Sequence, residues 1–417
     1  MRPVPSKPDH DVAYVTDVEG SWQRLASFCA GNPLVQLHGD VLRVTDGATF
    51  VFGGDAIDRG PWSRKIVRTL LQARQAQPDQ VVLLAGNRDL NKLRLARELD
   101  GFPSKRAPDE MKTAPRAQML KWIFQNTMGA ADAFEHRRAE LIVEQRAAGD
   151  EDVAQSFVDD LAPEGELSLY LQACQLTWRS GSTLFVHGGV AEEALAIVPG
   201  HDVVDLAKFD DALWRARLED FYAQQLAAFR ARAIEADGTP GWESAILYQA
   251  PRKGLKMNPG SVVYGRMGDE LNNPSLPSQA TIDALARCGI RRVVVGHTPS
   301  GDTPSIVRST SSKDPFEVII ADNSRSRVDT GSRIVLRDEG VHIAARCVLD
   351  EHTDAIDIEM TLPLDDRKSP IGQRTADRSL VKGAHGKDWL VFRYDPGWQC
   401  LQKLVGELGP LVEPAPA

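Results

Sequence analysis

Five short apolar stretches of this chain end in residues able to bind a cation or move a proton. Asp17 closes VAYVTD, with Glu19 two residues on. Asp55 closes TFVFGGD, with Asp58 and Arg59 just behind it. Asn87 closes VVLLAGN and is followed by Arg88 and Asp89. His187 follows TLFV, and His297 follows RRVVVG. Gathered in one place, these carboxylates, the amide and the two imidazoles would make a mixed oxygen and nitrogen shell. Such a shell suits Mn, Fe or Zn better than Ca, which prefers oxygen throughout. Crowded carboxylates cannot all stay ionised without a cation. Two divalent ions roughly 3.5–4 Å apart, sharing one Asp, would activate a water and clamp a phosphoryl oxygen. Each residue alone has a plainer reading. Asp17 could cap a helix, Asn87 could stabilise a turn, and a single His after an apolar run is more often a core residue. The joint pattern is what points to a site.

These residues need a scaffold that brings their ends together. The stretches 12–17, 49–55, 81–87, 182–188, 291–297 and 316–322 are almost continuous in Val, Leu, Ile and Phe, the pattern of strands buried on both faces. Helical patterns follow the first three, from about Ser21, after Pro61, and over Leu90–Leu99. Pro61 near a helix start costs no hydrogen bond. Strand–helix alternation predicts an α/β core with partly parallel strands. Ligands of such sheets collect at the carboxyl ends of the strands, where all five polar clusters fall. Residues 109–179 carry three-to-four apolar spacing and no clear strand, and 202–236 repeat that pattern. Residues 332–349 alternate around Asp338-Glu339-Gly340 and predict a hairpin. The domain plan is a leader over 1–11, one domain over 12–350 with helical insertions at about 105–180 and 202–256, and a peripheral C-terminal extension over 351–417.

Composition narrows the classes. Hydrophobic residues make up 42% of 417 and charged residues 26%, the balance of a globular protein. No apolar run reaches the roughly 18–20 residues that cross a bilayer, and the N-terminus lacks a secretory pattern. Five scattered cysteines form no C-x-x-C pair, which argues for a reducing cytoplasm and against a thiolate zinc site. A formal charge of -9 excludes a general nucleic-acid footprint. Oligomeric state leaves no mark in the sequence.

GGDAIDRG, GNRD, FVHGG and VVGHTP, in that order and each after a strand, resemble the successive motifs of the calcineurin-like metallophosphoesterase superfamily. The closest branch holds the phosphoprotein phosphatases and the diadenosine-tetraphosphatase-like enzymes. The resemblance covers roughly residues 11–100, 180–190 and 288–325. It implies a layered β-sandwich flanked by helices and two divalent metal ions, with Mn favoured among Mn, Fe, Zn and Mg. Carried over by position, Asp55 bridges the metals, and Asn87, His187 and His297 complete the ligand set of the second metal. Asp17 and Glu19 fall on the first metal. Arg59 grips the substrate phosphate with Asp58 supporting it, and Arg88 and Asp89 join the catalytic group. A further arginine from an inserted segment is expected, with Arg215, Arg217 and Arg266 as candidates.

Two positions depart from the pattern. The first motif is usually Asp-x-His and here reads Asp17-Val18-Glu19. The third is usually Gly-Asn-His-Asp/Glu and here reads Gly86-Asn87-Arg88-Asp89. Glu19 could ligate a metal, or pair with Arg88 and leave that site weak. Alternatively Arg88 could bind substrate phosphate directly. Arg88 cannot serve as a general acid, because its pKa stays above about 12. The expected activity is hydrolysis of a phosphate ester on a small molecule, nucleotide or phosphoprotein. Alternatives are a phosphodiesterase or nucleotide pyrophosphohydrolase on the same fold, and a metal- or phosphate-binding module without catalysis.

Overall fold

The computed structural model describes residues 11–102, 104, 106–309, 315–350 and 354–414. Nearly all of the expected leader lies outside them. Two mixed sheets form a sandwich. The larger has seven strands in the order Ala355–Pro363, Gly340–Val348, Arg333–Arg337, Val12–Val15, Thr49–Phe52, Val81–Leu84 and Cys174–Gln175. The smaller has five, in the order Ser305–Ser309, Phe316–Asp322, Arg292–Pro299, Thr183–Val186 and Thr177–Ser180. The strands that carry the polar ends run parallel within each sheet, so their carboxyl ends meet on one side. The layered α/β architecture expected from the sequence is present.

Alternation along the strands builds two cores. Val12, Tyr14, Val51, Val82 and Leu84 pack between the sheets against Phe185, Val294 and Ile319. Ala13, Val15, Phe50, Phe52 and Leu83 turn the other way, onto helix residues such as Phe28, Ile66 and Leu70. Each large apolar side chain so buried contributes roughly 1.5–3 kcal/mol. Burial on both faces is why the strands read as unbroken apolar runs. The first helix, Trp22–Cys29, starts where the Ser21 hydroxyl accepts the Arg24 N–H. The hairpin at 333–348 forms as the alternation predicts.

The stretch 109–173 holds the helices Asp109–Lys112, Arg116–Asn126, Ala133–Val143, Asp150–Asp160 and Glu166–Ala173. A buried ionic cluster ties them to the helix Ser63–Ala76. Arg64 meets Glu144, Asp160 and Glu166, and Arg68 meets Glu144 and Glu166. The second block is built on the helix Asp211–Arg230.

The C-terminal segment corrects the sequence reading. Ala355–Pro363 pairs along all of Gly340–Val348 as an edge strand of the larger sheet. Leu380–His385, Asp388–Asp395 and Gln399–Val405 form a three-stranded sheet, and its Val381 and Val391 enter the core between the main sheets. These strands bury one face and expose the other, so polar residues alternate with apolar ones and the stretch reads as peripheral. A short hairpin, Val35–His38 with Val41–Val44, was also missed.

Candidate active site

The site sits where the parallel strands end. Asp17, Glu19, Asp55, Asp58 and His297 all have positive φ, between 46° and 110°. Side chains other than Gly rarely accept that conformation, and such strain concentrates at functional sites. Backbone hydrogen bonds hold the turns together: Asp17 N–H donates to Gly54 O, and Glu19 N–H to Asp55 O, both at 3.0 Å. Glycine is required at two close approaches. A Cβ on Gly86 would lie 2.1 Å from the Asp55 carboxylate, and one on Gly296 would lie 2.2 Å from that of Asp17.

Ligand atoms of Asp17, Asp55 and His187 lie within 4.8 Å of one another, and all three residues are buried. His187 Nδ1 stands 2.8 Å from the Gly53 carbonyl, which can only accept. The proton therefore sits on Nδ1, and the Nε2 lone pair faces Asp55 Oδ1 at 3.4 Å and Asn87 Oδ1 at 3.3 Å. His297 Nδ1 approaches the same Asn87 oxygen at 2.8 Å. Separations near 3 Å are those of neighbouring ligands on one ion with bonds of about 2.1 Å. Burial, then Asp322 and Asp55, push the Asp17 carboxyl well above its ordinary pKa. Burial also raises Asp55, against the pull of His187 and Arg88. Burial followed by Arg266 holds His297 well below its ordinary value, so its ring is neutral and able to ligate. Buried acids at odds with one another beside the neutral His297 ring fit a divalent cation, which would stabilise every carboxylate at once.

Glu19 stands outside that group. Its Oε1 meets Arg88 Nε at 2.5 Å, and its Oε2 accepts from Arg59 Nη1 at 3.0 Å. Both carboxylate oxygens are thus engaged by guanidinium groups, which runs against the expectation of a metal ligand. Arg88 Nη1 is buried without a hydrogen bond and lies 3.7 Å from Asp58 Oδ2. Asp58 and Asp89 sit behind the cleft and not in it. Asp58 pairs with the fully buried Lys92 at 2.7 Å. Asp89 accepts from the backbone N–H groups of Asp55, Ala56 and Gly86, pinning two loops together. Burial and then Asp55 push its carboxyl up to about 7. Both carboxylates are thus engaged by protein groups, and neither lines the cleft.

A cleft of about 1180 Å³ opens over the cluster, lined by Arg59, Arg88, Arg266, Tyr264 and Asp322 among others. Arg215 and Arg217 do not line it. Arg215 is held by Asp211 one turn back on the same helix, at 3.0 Å. Arg266 is the one of the three candidates that reaches the site. Four residues were overlooked in the sequence. Asp322 ends its strand as Asp17 and Asp55 end theirs, so the same signal was available. Lys92 lies four residues after Arg88, on the same helical face. Tyr264, whose ring is 4.9 Å from that of His297, and Trp398 at the cleft wall carry no local signal.

A two-sheet α/β sandwich with a buried Asp/Asp/His cluster and arginines over it defines a metal-binding hydrolase site. The calcineurin-like phosphoesterase family model matches residues 11–301, and the chain belongs to that family. It is a phosphoric ester hydrolase. No curated protein matches the sequence. Among solved structures, the cold-active protein-tyrosine phosphatase of the psychrophile Shewanella sp. aligns over 81% of this chain and 78% of its own, at 15% identity and a TM-score of 0.45. A protein serine/threonine phosphatase from Saccharomyces cerevisiae aligns over 86% and 84%, at 13% identity and 0.39. A metallophosphoesterase from Sphaerobacter thermophilus aligns over 79% and 84%, at 12% identity and 0.28. The family match carries the assignment. Among the described residues no helix is long and apolar enough to cross a membrane.

Proposed function

We propose that the chain is a metal-dependent phosphomonoesterase acting on phosphorylated small molecules or nucleotides. The observation that carries this reading is the convergence of Asp17, Asp55 and His187 at the floor of an arginine-lined cleft. Asp55, Asn87, His187 and His297 would hold one divalent cation tightly. Asp17 and Asp55 would hold a second more weakly, because Glu19 is turned to the arginines. Oxygen-rich ligation of the weaker site favours Mn²⁺. The cations supply Lewis acidity at the phosphoryl oxygens and acidify a water.

The chain's own residues do the rest. Arg88 and Arg59, which both line the cleft, bind non-bridging phosphate oxygens through charge-assisted hydrogen bonds. Glu19 holds both guanidinium groups in place before substrate arrives, which lowers the ordering cost of binding. Lys92 and Asp58 support Arg88 from behind, since Asp58 Oδ2 lies 3.7 Å from Arg88 Nη1. The free cysteines fit a reducing cytoplasm. The test is an activity panel on metal-stripped protein re-supplied with Mn²⁺, Mg²⁺, Fe²⁺ or Zn²⁺. Substrates would be p-nitrophenyl phosphate, its bis ester, nucleotides and a phosphopeptide. Monoester turnover that returns with metal is expected. Absence of turnover with every metal, despite tight metal binding, would leave a binding module instead.

A further inference from the structure

The cleft holds a second concentration of positive charge, which begins at Arg266 beside His297 and runs to the cleft wall. The guanidinium carbons of Arg266 and Arg325 stand 5.4 and 5.3 Å from the centre of one ring, that of Trp398. All three residues line the cleft. They come from distant parts of the chain. Arg266 follows a loop whose backbone packs on Gly188 and Gly189, just after His187. Arg325 lies three residues past Asp322, the end of its strand. Trp398 sits between the strands Asp388–Asp395 and Gln399–Val405, at φ 64°.

Of the other arginines lining the cleft, Arg59, Arg88 and Arg94 are paired with carboxylates, and Arg97 lies over the Phe102 ring. Arg59 and Arg88 share Glu19, and Arg94 holds Glu98 at 2.8 Å. Among the described residues neither Arg266 nor Arg325 has an ion pair. Arg266 gives Nη1 to Asn272 Oδ1 at 2.6 Å, and its Nε is buried with no partner. Burial works most strongly against its charge; Tyr264 and Asp322 favour it, and Arg325 adds repulsion. Attraction to a shared indole face offsets this only in part. Two like charges held together with an open buried donor are stabilised by an arriving anion. The cleft, about 1180 Å³, also exceeds the roughly 300–1,000 Å³ of ordinary small-ligand pockets. One phosphate over the metal cluster would fill little of it.

We propose that Arg266, Arg325 and Trp398 form a subsite for a second phosphate group, so that the preferred substrates are small molecules or nucleotides carrying at least two phosphates. This rests on the hydrolase reading above and narrows its substrate class. The indole keeps two guanidinium forks side by side, and each fork can offer paired donors to phosphate oxygens.

The probes are AMP, ADP and adenosine 3′,5′-bisphosphate. Binding is measured by titration calorimetry on metal-stripped protein and by competition against p-nitrophenyl phosphate turnover on Mn²⁺-loaded protein. In the wild type at least one two-phosphate nucleotide should bind about tenfold or more tighter than AMP, the effect of one charge-assisted contact. Arg325→Gln and Trp398→Leu should each bring that ratio below about twofold, and Arg325→Lys should retain part of it. Arg325 is exposed, so its variants test the idea even if Trp398→Leu fails to fold. A ratio near one in the wild type, or one unchanged in Arg325→Gln, would overturn the subsite. Lack of turnover with every metal would instead remove the hydrolase reading, and the calorimetric ratio would still judge the subsite by itself.

Discussion

The two sides of the metal cluster are built on different logic. Around His187, neutral ligands converge: two imidazole nitrogens face one amide oxygen, and the Gly53 carbonyl fixes the His187 tautomer. Around Asp17 the groups are charged. Asp17 shares its surroundings with Asp322 and Asp55, while Glu19, two residues on, is taken up by Arg88 and Arg59. The first side is arranged for a cation. On the proposed reading, the second would give up one ligand for a pair of arginines that bind substrate. If that reading holds, a charge pair between two loops sets whether the residue at position 19 holds a cation or the anion-binding groups.

The widest break would come from Asp55→Asn, since Asp55 serves both sides. Its kcat/KM should fall by more than about a hundredfold, because even supporting residues around a metal cost 10–100-fold. Metal analysis after gel filtration should show loss of bound metal as well. Arg88→Ala should raise KM by roughly ten- to a hundredfold, the effect of losing a hydrogen bond between charged partners. Steady-state kinetics separates this from a loss confined to kcat, which would place the contact in the transition state. Glu19→Gln sharpens the comparison most. Titration of Mn²⁺ into stripped protein should leave the tight site intact, while phosphate affinity drops about tenfold as the arginines lose their anchor. Loss of the tight site instead would make Glu19 a ligand and dissolve the contrast. The smallest effect is expected from Lys382→Met. Lys382 is buried and donates to the carbonyls of Ser300 and Thr303, in the loop just after His297. Its loss should cost about 1–3 kcal/mol in denaturant unfolding, because two buried carbonyls lose their donor.

Much of this was legible in the sequence because it is local. The apolar runs end where the strands end, and the polar residue that follows is placed by the turn. The exchange of Glu19 and Arg88 was legible too, as opposite charges at two altered motif positions. Asp322 obeyed the same rule as Asp17 and went unread because no familiar motif surrounds it. The choice among Arg215, Arg217 and Arg266 was beyond local reading. All three sit in inserted segments, and only the packing of the 261–268 loop against Gly188 and Gly189 brings Arg266 to the cleft. The C-terminal sheet was opaque for another reason. Its strands are half polar and pair with their chain neighbours, while the core they pack on comes from residues tens to hundreds of positions away.

That distance has a consequence for synthesis. Val12–Val15, which precedes Asp17, is hydrogen-bonded on one side to Arg333–Arg337. The loop after His297 is held by Lys382, by Tyr394 through the Gly301 N–H, and by Gln402 through Asp302. Contacts so far apart along the chain close late. While a ribosome is still translating toward residue 402, the ligands at 17, 55, 87, 187 and 297 already exist as covalent chain but lack their fixed frame. A message truncated where the family match ends, at residue 301, would yield every expected metal ligand and no working enzyme.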